Sequence, residues 1–216
     1  MNISRLQYIT QDVPYKTHPQ LAEEACIAGV EWIQLRIKNK TQEDWLVIAK
    51  EVKQVCEKYK AQLIINDNAQ IAKEVKAYGI HLGKDDMPVT EARKLLGEKF
   101  IIGATANTFE DILKLVEEKA DYIGLGPFRF TTTKEKLSPV LNIEGYKEIM
   151  EKCDLHKINI PVIAVGGITS NDVEALLEAG VHGVAISSYI TNSTNKVQTI
   201  QKFNSQLKSL TNFHNF

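Results

Sequence analysis

The fold class that this sequence predicts is α/β: a single-domain (β/α)₈ TIM barrel, with eight parallel strands closed into a cylinder and wrapped by helices. Three observations predict it. Short apolar runs alternate with amphipathic stretches along the chain, the pattern of strands joined by helical crossovers. The runs are uniformly apolar, as strands covered on both faces are. There are eight of them, the number that closes such a barrel. An open doubly wound sheet is the other arrangement that the alternation allows. The chain has 216 residues, compact for a fold that typically takes about 250. The barrel is expected to fill 1–210, with a frayed tail at 211–216.

The first strand is predicted at 6–10 and its helix at 19–28. Trp32 to Arg36 form the second strand. Trp45, Ile48, Ala49, Val52, Val55 and Cys56 recur at helical spacing and place a helix over 44–59. Strands follow at 63–65, 79–82 and 100–103, with helices at 69–76, 89–96 and 109–118. The sixth strand, 122–125, precedes a segment at 126–142 that is rich in Thr and Lys and contains two prolines. No helix is predicted there, and a loop this long in a compact domain is usually functional or disordered. A seventh strand at 161–165 leads to a helix at 171–179, and an eighth at 183–186 to a final helix at 197–210.

Apolar residues make up 44% and charged residues 25%, with a net charge of -1. Nothing global attracts nucleic acid or an anionic membrane, so any affinity for anions must be local. No apolar stretch approaches the roughly 18 residues of a membrane span, and no signal peptide is visible at 1–5. Cys26, Cys56 and Cys153 are odd in number and lack CxxC spacing, which favours buried thiols. A cytoplasmic protein acting on small molecules is expected. Whether it forms homo-oligomers is not legible in the sequence.

A barrel puts its reactive groups where strands end. After strand 2, period-two spacing places Gln34, Arg36 and Lys38 on one side of the extended chain, facing the barrel mouth. Two inward cations need an anion, and phosphate suits both. Asn66 and Asp67 follow strand 3. His81, Lys84, Asp85 and Asp86 lie in and after strand 4. Asp67 and Asp86 from neighbouring loops can share a hard cation such as Mg²⁺, or Asp67 can cap the helix that follows it and Asp85 or Asp86 the next. His81 is either catalytic or a hydrogen-bonded barrel residue. Thr105 after strand 5 either binds substrate or closes its strand. After strand 6, Thr131, Thr132, Thr133 and Lys134 offer donors to phosphate oxygens. Gly166-Gly167 after strand 7 and Ser187-Ser188 after strand 8 stand where this fold frequently binds phosphate. Two anion sites result: one at strands 7 and 8, and one at Arg36, Lys38 and Lys134 beside the two aspartates. A monophosphate plus a metal-bound pyrophosphate fits both, which points to group transfer with pyrophosphate as leaving group.

The motifs Gln34-Leu35-Arg36-Ile37-Lys38, Ile65-Asn66-Asp67, His81 to Asp86, Gly126-Pro127 through Lys134, Ala164 to Ile168 and Gly183 to Ser188 occur in one order over most of the chain. Together they resemble the thiamine phosphate synthase family. The resemblance implies a (β/α)₈ transferase that joins an aminopyrimidine pyrophosphate to a thiazole phosphate, releasing pyrophosphate by a dissociative route. It implies one Mg²⁺ on Asp67 and Asp86. It implies pyrimidine pyrophosphate binding by Gln34, Leu35, Arg36, Ile37, Lys38, Asn66, Thr105 and Lys134, with Arg36, Lys38 and Lys134 acting in catalysis. Thr131, Thr132, Thr133, Gly167, Ser187 and Ser188 would bind the thiazole phosphate. Lys84, Thr105 and Ser187 depart from the family pattern, which often has Gln, Ser and an apolar residue there. A thiazole tautomerase-like barrel and a non-catalytic thiamine-precursor binding protein remain alternatives. The tautomerases carry His where this chain has Pro127.

Overall fold

A computed structural model describes residues 3–38, 40–130 and 139–209. The strands are β1 (Leu6–Ile9), β2 (Trp32–Leu35), β3 (Gln62–Asn66), β4 (Gly79–Leu82), β5 (Ile101–Ala106), β6 (Tyr122–Leu125), β7 (Val162–Val165) and β8 (Gly183–Ile186). They pair in sequence order, all parallel, and β1 pairs with β8 (Leu6↔Val184, Tyr8↔Ile186) to close the barrel. The open doubly wound sheet is thereby excluded.

The helices are α1 (His18–Ile27), α2 (Gln42–Lys58), α3 (Ala69–Glu74), α4 (Val89–Leu96), α5 (Phe109–Glu117), α6 (Asn142–Leu155), α7 (Val173–Glu178), α8 (Ser188–Thr191) and α9 (Lys196–Ser209). Their N-termini follow from local chemistry. Thr17 and Thr108 form capping boxes with Gln20 and Asp111, and Thr41 caps α2. The side chains divide by strand parity. Trp32, Ile64, Ile101, Tyr122, Ile163 and Ala185 fill the barrel interior. Their neighbours on alternate positions, such as Tyr8, Ile33, Leu35 and Leu63, join the layer between strands and helices. Trp32 meets Tyr122 edge-on, with ring centroids 5.0 Å apart.

Two helices are absent from the sequence prediction. The crossover α6 buries Tyr146, Ile149, Met150 and Cys153, a stripe at helical spacing that carried the signal. Its start is unmarked, because no side chain caps it and Asn142 sits at φ 50. The four-residue α8 is too short to show a period. All three cysteines are free and buried, as expected. No helix among the described residues is long and apolar enough to cross a membrane. The expected tail at 211–216 lies outside the described residues.

Candidate active site

A cavity of about 630 Å³ opens at the carboxyl ends of the strands, and residues from all eight strand ends line it. At the end of β2, Gln34, Arg36 and Lys38 face it together. Leu35 and Ile37 do not. Their side chains are buried in the layer between strands and helices, because successive residues of an extended chain face opposite ways. Any contact that they make with substrate must therefore come from their backbone. Gln34 is only 2% exposed, and its amide donates to Gln7 Oε1 at 2.8 Å. Gln7 reaches the cavity from β1. A lone polar side chain inside an apolar strand was the signal for it.

Asn66 and Asp67 after β3, and Asp85 and Asp86 after β4, line the adjoining wall. The helix-cap alternative does not hold for either proposed metal ligand. Asn68, not Asp67, caps α3 by accepting from the Ile71 N–H at 3.0 Å, and Asp67 sits at φ 64 with its N–H bonded to His81 O at 2.8 Å. The position before α4 is Pro88, with no side-chain cap. Asp86 turns back instead and accepts from the Gly83 N–H at 2.6 Å. Two carboxylates from adjacent loops on one wall suit Mg²⁺, which takes one or two carboxylates and completes its shell with water and phosphate oxygens. Lys84 is committed elsewhere. Its ammonium meets Asp111 at 2.5 Å. Burial raises the Asp111 carboxyl, but the bonds from Lys84 and from the N–H groups of Asn107 and Thr108 more than offset this and hold it below its ordinary value.

Below the carboxylates, His81 uses both ring nitrogens, Nδ1 with the Tyr122 hydroxyl at 3.0 Å and Nε2 with Thr105 Oγ1 at 3.1 Å. It is a hydrogen-bonded barrel histidine that also faces the cavity. Burial pushes the Tyr122 phenol up, with the Gln7 amide beside it moderating the rise. The phenol therefore keeps its proton. Thr105 is buried against His81 and lines the same wall.

The opposite wall is built from the ends of β6, β7 and β8. Gly166 and Gly167 adopt φ 100 and φ 69, conformations that glycine takes without cost. A Cβ on Gly166 would stand 2.8 Å from Pro127 Cα, so the turn also needs the missing side chain. The β6 loop is stitched to this turn. The N–H groups of Phe128 and Arg129 donate to Val165 O and Gly166 O, each at 2.9 Å. The Arg129 guanidinium holds both oxygens of Asp172, with Nη1 to Oδ2 at 2.6 Å, and also donates to Gly167 O. Ser187 and Ser188 line the cavity with Gly167, Ser188 opening α8 and Ser187 donating to Gln11 Oε1 at 3.0 Å. Thr131, Thr132, Thr133 and Lys134 lie outside the described residues.

The Asp172 carboxyl is raised by burial, but the Arg129 pair and the Thr169 N–H and hydroxyl bring it below its usual value. Its contribution to stability is complete above the unfolded value of about 4 and drains away as pH falls through the lowered folded value. Asp172→Asn is expected to flatten this part of the acid-unfolding curve. A variant whose stability fell with acid as steeply as the parent's would exclude the assignment.

The model of the thiamine monophosphate synthase family matches residues 6–190. A thiamine-phosphate synthase of Flavobacterium johnsoniae is 50% identical over 204 residues, covering 94% of this chain and 96% of the relative. One from Bacteroides thetaiotaomicron is 45% identical over 197 residues, covering 91% and 94%. Among solved structures, the thiamine phosphate pyrophosphorylase of Pyrococcus furiosus superposes with a TM-score of 0.82 at 30% identity, covering 94% of this chain and 95% of the other.

Proposed function

The chain belongs to the thiamine monophosphate synthase family, transferases that make thiamine phosphate, and we propose that its barrel-mouth cavity holds both substrates of that reaction at once. The observation that carries this is convergence. Gln34, Arg36, Lys38, Asn66, Asp67 and Asp86 share a single cavity with Gly167, Ser187 and Ser188. Cationic and carboxylate groups thus stand across from a glycine turn and two hydroxyls, one wall for each anion.

In this proposal Gln34, Asn66 and Thr105 orient the aminopyrimidine pyrophosphate. Arg36 and Lys38, with Lys134, stabilise the negative charge that grows on the leaving pyrophosphate. Asp67 and Asp86 would hold Mg²⁺, which supplies further neutralisation of that charge when bound. Gly167, Ser187 and Ser188, with Thr131, Thr132 and Thr133, hold the thiazole phosphate, so that the ring nitrogen lies near the pyrimidine methylene. The carbon–oxygen bond breaks first, the methylene carries positive charge, and the thiazole nitrogen attacks it. No side-chain nucleophile takes part. The protein contributes charge stabilisation and the positioning of two reactants, and positioning alone can supply several kcal/mol.

Purified protein given both substrates and Mg²⁺ is expected to form thiamine phosphate. EDTA should stop it, and Asp67→Ala should cost about a hundredfold or more. Turnover unaffected by EDTA and by Asp67→Ala would remove the metal assignment. No product from folded protein would favour a tautomerase or a binding protein.

A further inference from the structure

His18 lies behind the cavity wall, at the first position of α1, and is 6% exposed. It is not among the described residues that line the cavity. It does meet two residues after β1: Nδ1 is 2.8 Å from Thr10 Oγ1, and Nε2 is 3.2 Å from Asp12 Oδ1. Both of those residues hold the backbone that carries the two cations. The Arg36 N–H donates to Thr10 Oγ1 at 3.3 Å, and the Lys38 N–H to Asp12 Oδ2 at 3.1 Å.

The donor inventory gives the chain of bonds one consistent direction. Burial holds His18 below its ordinary pKa, against the pull of the Asp12 carboxylate and with a small push from Lys40, so the ring is neutral at neutral pH. A neutral imidazole has one N–H and one acceptor nitrogen. Ionised Asp12 can only accept, so Nε2 carries the hydrogen and Nδ1 accepts. The Thr10 hydroxyl then donates to Nδ1, which leaves its lone pairs for the Arg36 N–H. Thr10 is fully buried, where an unmade hydrogen bond is costly. One ring thus locks two side chains, and each side chain locks one backbone N–H of the segment after β2.

We propose that His18 is a positioning residue that acts through Thr10 and Asp12 to hold Arg36 and Lys38 where they meet the pyrophosphate group. This rests on the proposed reaction for the identity of the anion. It adds a residue outside the cavity to the machinery and makes its effect selective for one of the two substrates.

The test compares His18→Phe, His18→Gln and Asp12→Ala with the parent, all checked for folding by circular dichroism. Asp12 is largely exposed, so its variant keeps the test valid if the buried substitution unfolds. His18→Phe and Asp12→Ala are expected to raise KM for the pyrimidine pyrophosphate about tenfold, with KM for the thiazole phosphate unchanged. His18→Gln, whose amide can still donate to Asp12, should recover most of the loss. Titration with inorganic pyrophosphate and Mg²⁺ should show the same weakening by calorimetry. Equal losses for both substrates, or unchanged pyrophosphate affinity in folded His18→Phe and Asp12→Ala, would overturn the proposal. If the parent makes no thiamine phosphate, the proposed reaction fails, and the pyrophosphate titration still decides the role of His18.

Discussion

Arg36→Ala is expected to lower kcat/KM for the pyrimidine pyrophosphate about a thousandfold while leaving the melting temperature close to the parent's. Arg36 directly follows β2 and lines the cavity, half-buried like Lys38. Its guanidinium can bind two phosphate oxygens at once, and its charge counts for more as negative charge builds on the leaving group. Loss of one such donor commonly costs ~3–4 kcal/mol at the transition state, and each ~1.4 kcal/mol is tenfold in rate. Arg36→Lys should recover only part, since an ammonium keeps the charge and loses the planar fork. Stability should hardly change, because the guanidinium adds little apolar burial. Steady-state kinetics with a thermal melt on the same preparation decide it. A loss under about tenfold would mean that the pyrophosphate is held by other groups.

Gly103→Val should produce the largest loss of stability. Gly103 lies on β5, opposite His81 of β4 and Tyr122 of β6, and a Cβ there would fall 2.0 Å from the Tyr122 ring. Tyr122 cannot yield easily. It is fully buried, packed edge-on against Trp32, and bonded to His81. Overpacking of this kind costs about 3 kcal/mol, or a melting temperature lower by roughly 6–12 °C for a chain of this size. The displaced ring would also disturb the cavity floor, so kcat should fall even where the variant remains folded. A melt within about 2 °C of the parent's would show that the interior yields more readily than its packing suggests.

Local patterns made much of this legible in the sequence. Strand parity brought Gln34, Arg36 and Lys38 together, and the same parity sends Leu35 and Ile37 outward, which a motif quoted as an unbroken run conceals. Strand ends located Asn66, Asp67, Asp86, Gly167, Ser187 and Ser188, because a closed barrel gathers its carboxyl ends at one mouth. Partners distant along the chain were not legible. Arg129 reads as one more donor in a polar loop until Asp172, 43 residues on, takes it up. Lys84 reads as a charge beside the proposed metal site until Asp111 appears from the first turn of α5. His18 gives no local signal at all, because both of its partners precede it and the groups they hold lie beyond α1. The crossover α6 escaped notice for a different reason. Its apolar stripe is regular, but a polar, proline-containing stretch runs into it without a cap to mark the boundary.

The pairing of Lys84 with Asp111 takes one cation out of the charge balance at the cavity. Among the described residues lining it, Arg36 and Lys38 are the other cations, and Asp67, Asp85 and Asp86 supply carboxylates. By formal charge these five side chains sum to one unit negative, a balance that resists a polyanion. On the proposed reaction, a divalent cation held by Asp67 and Asp86 would turn that sum one unit positive. Cation and pyrophosphate would then recruit one another, each raising the other's affinity by the same factor, as linkage between two ligands requires. A protein short of metal would in this way be protected from filling its site with an anion that it could not use.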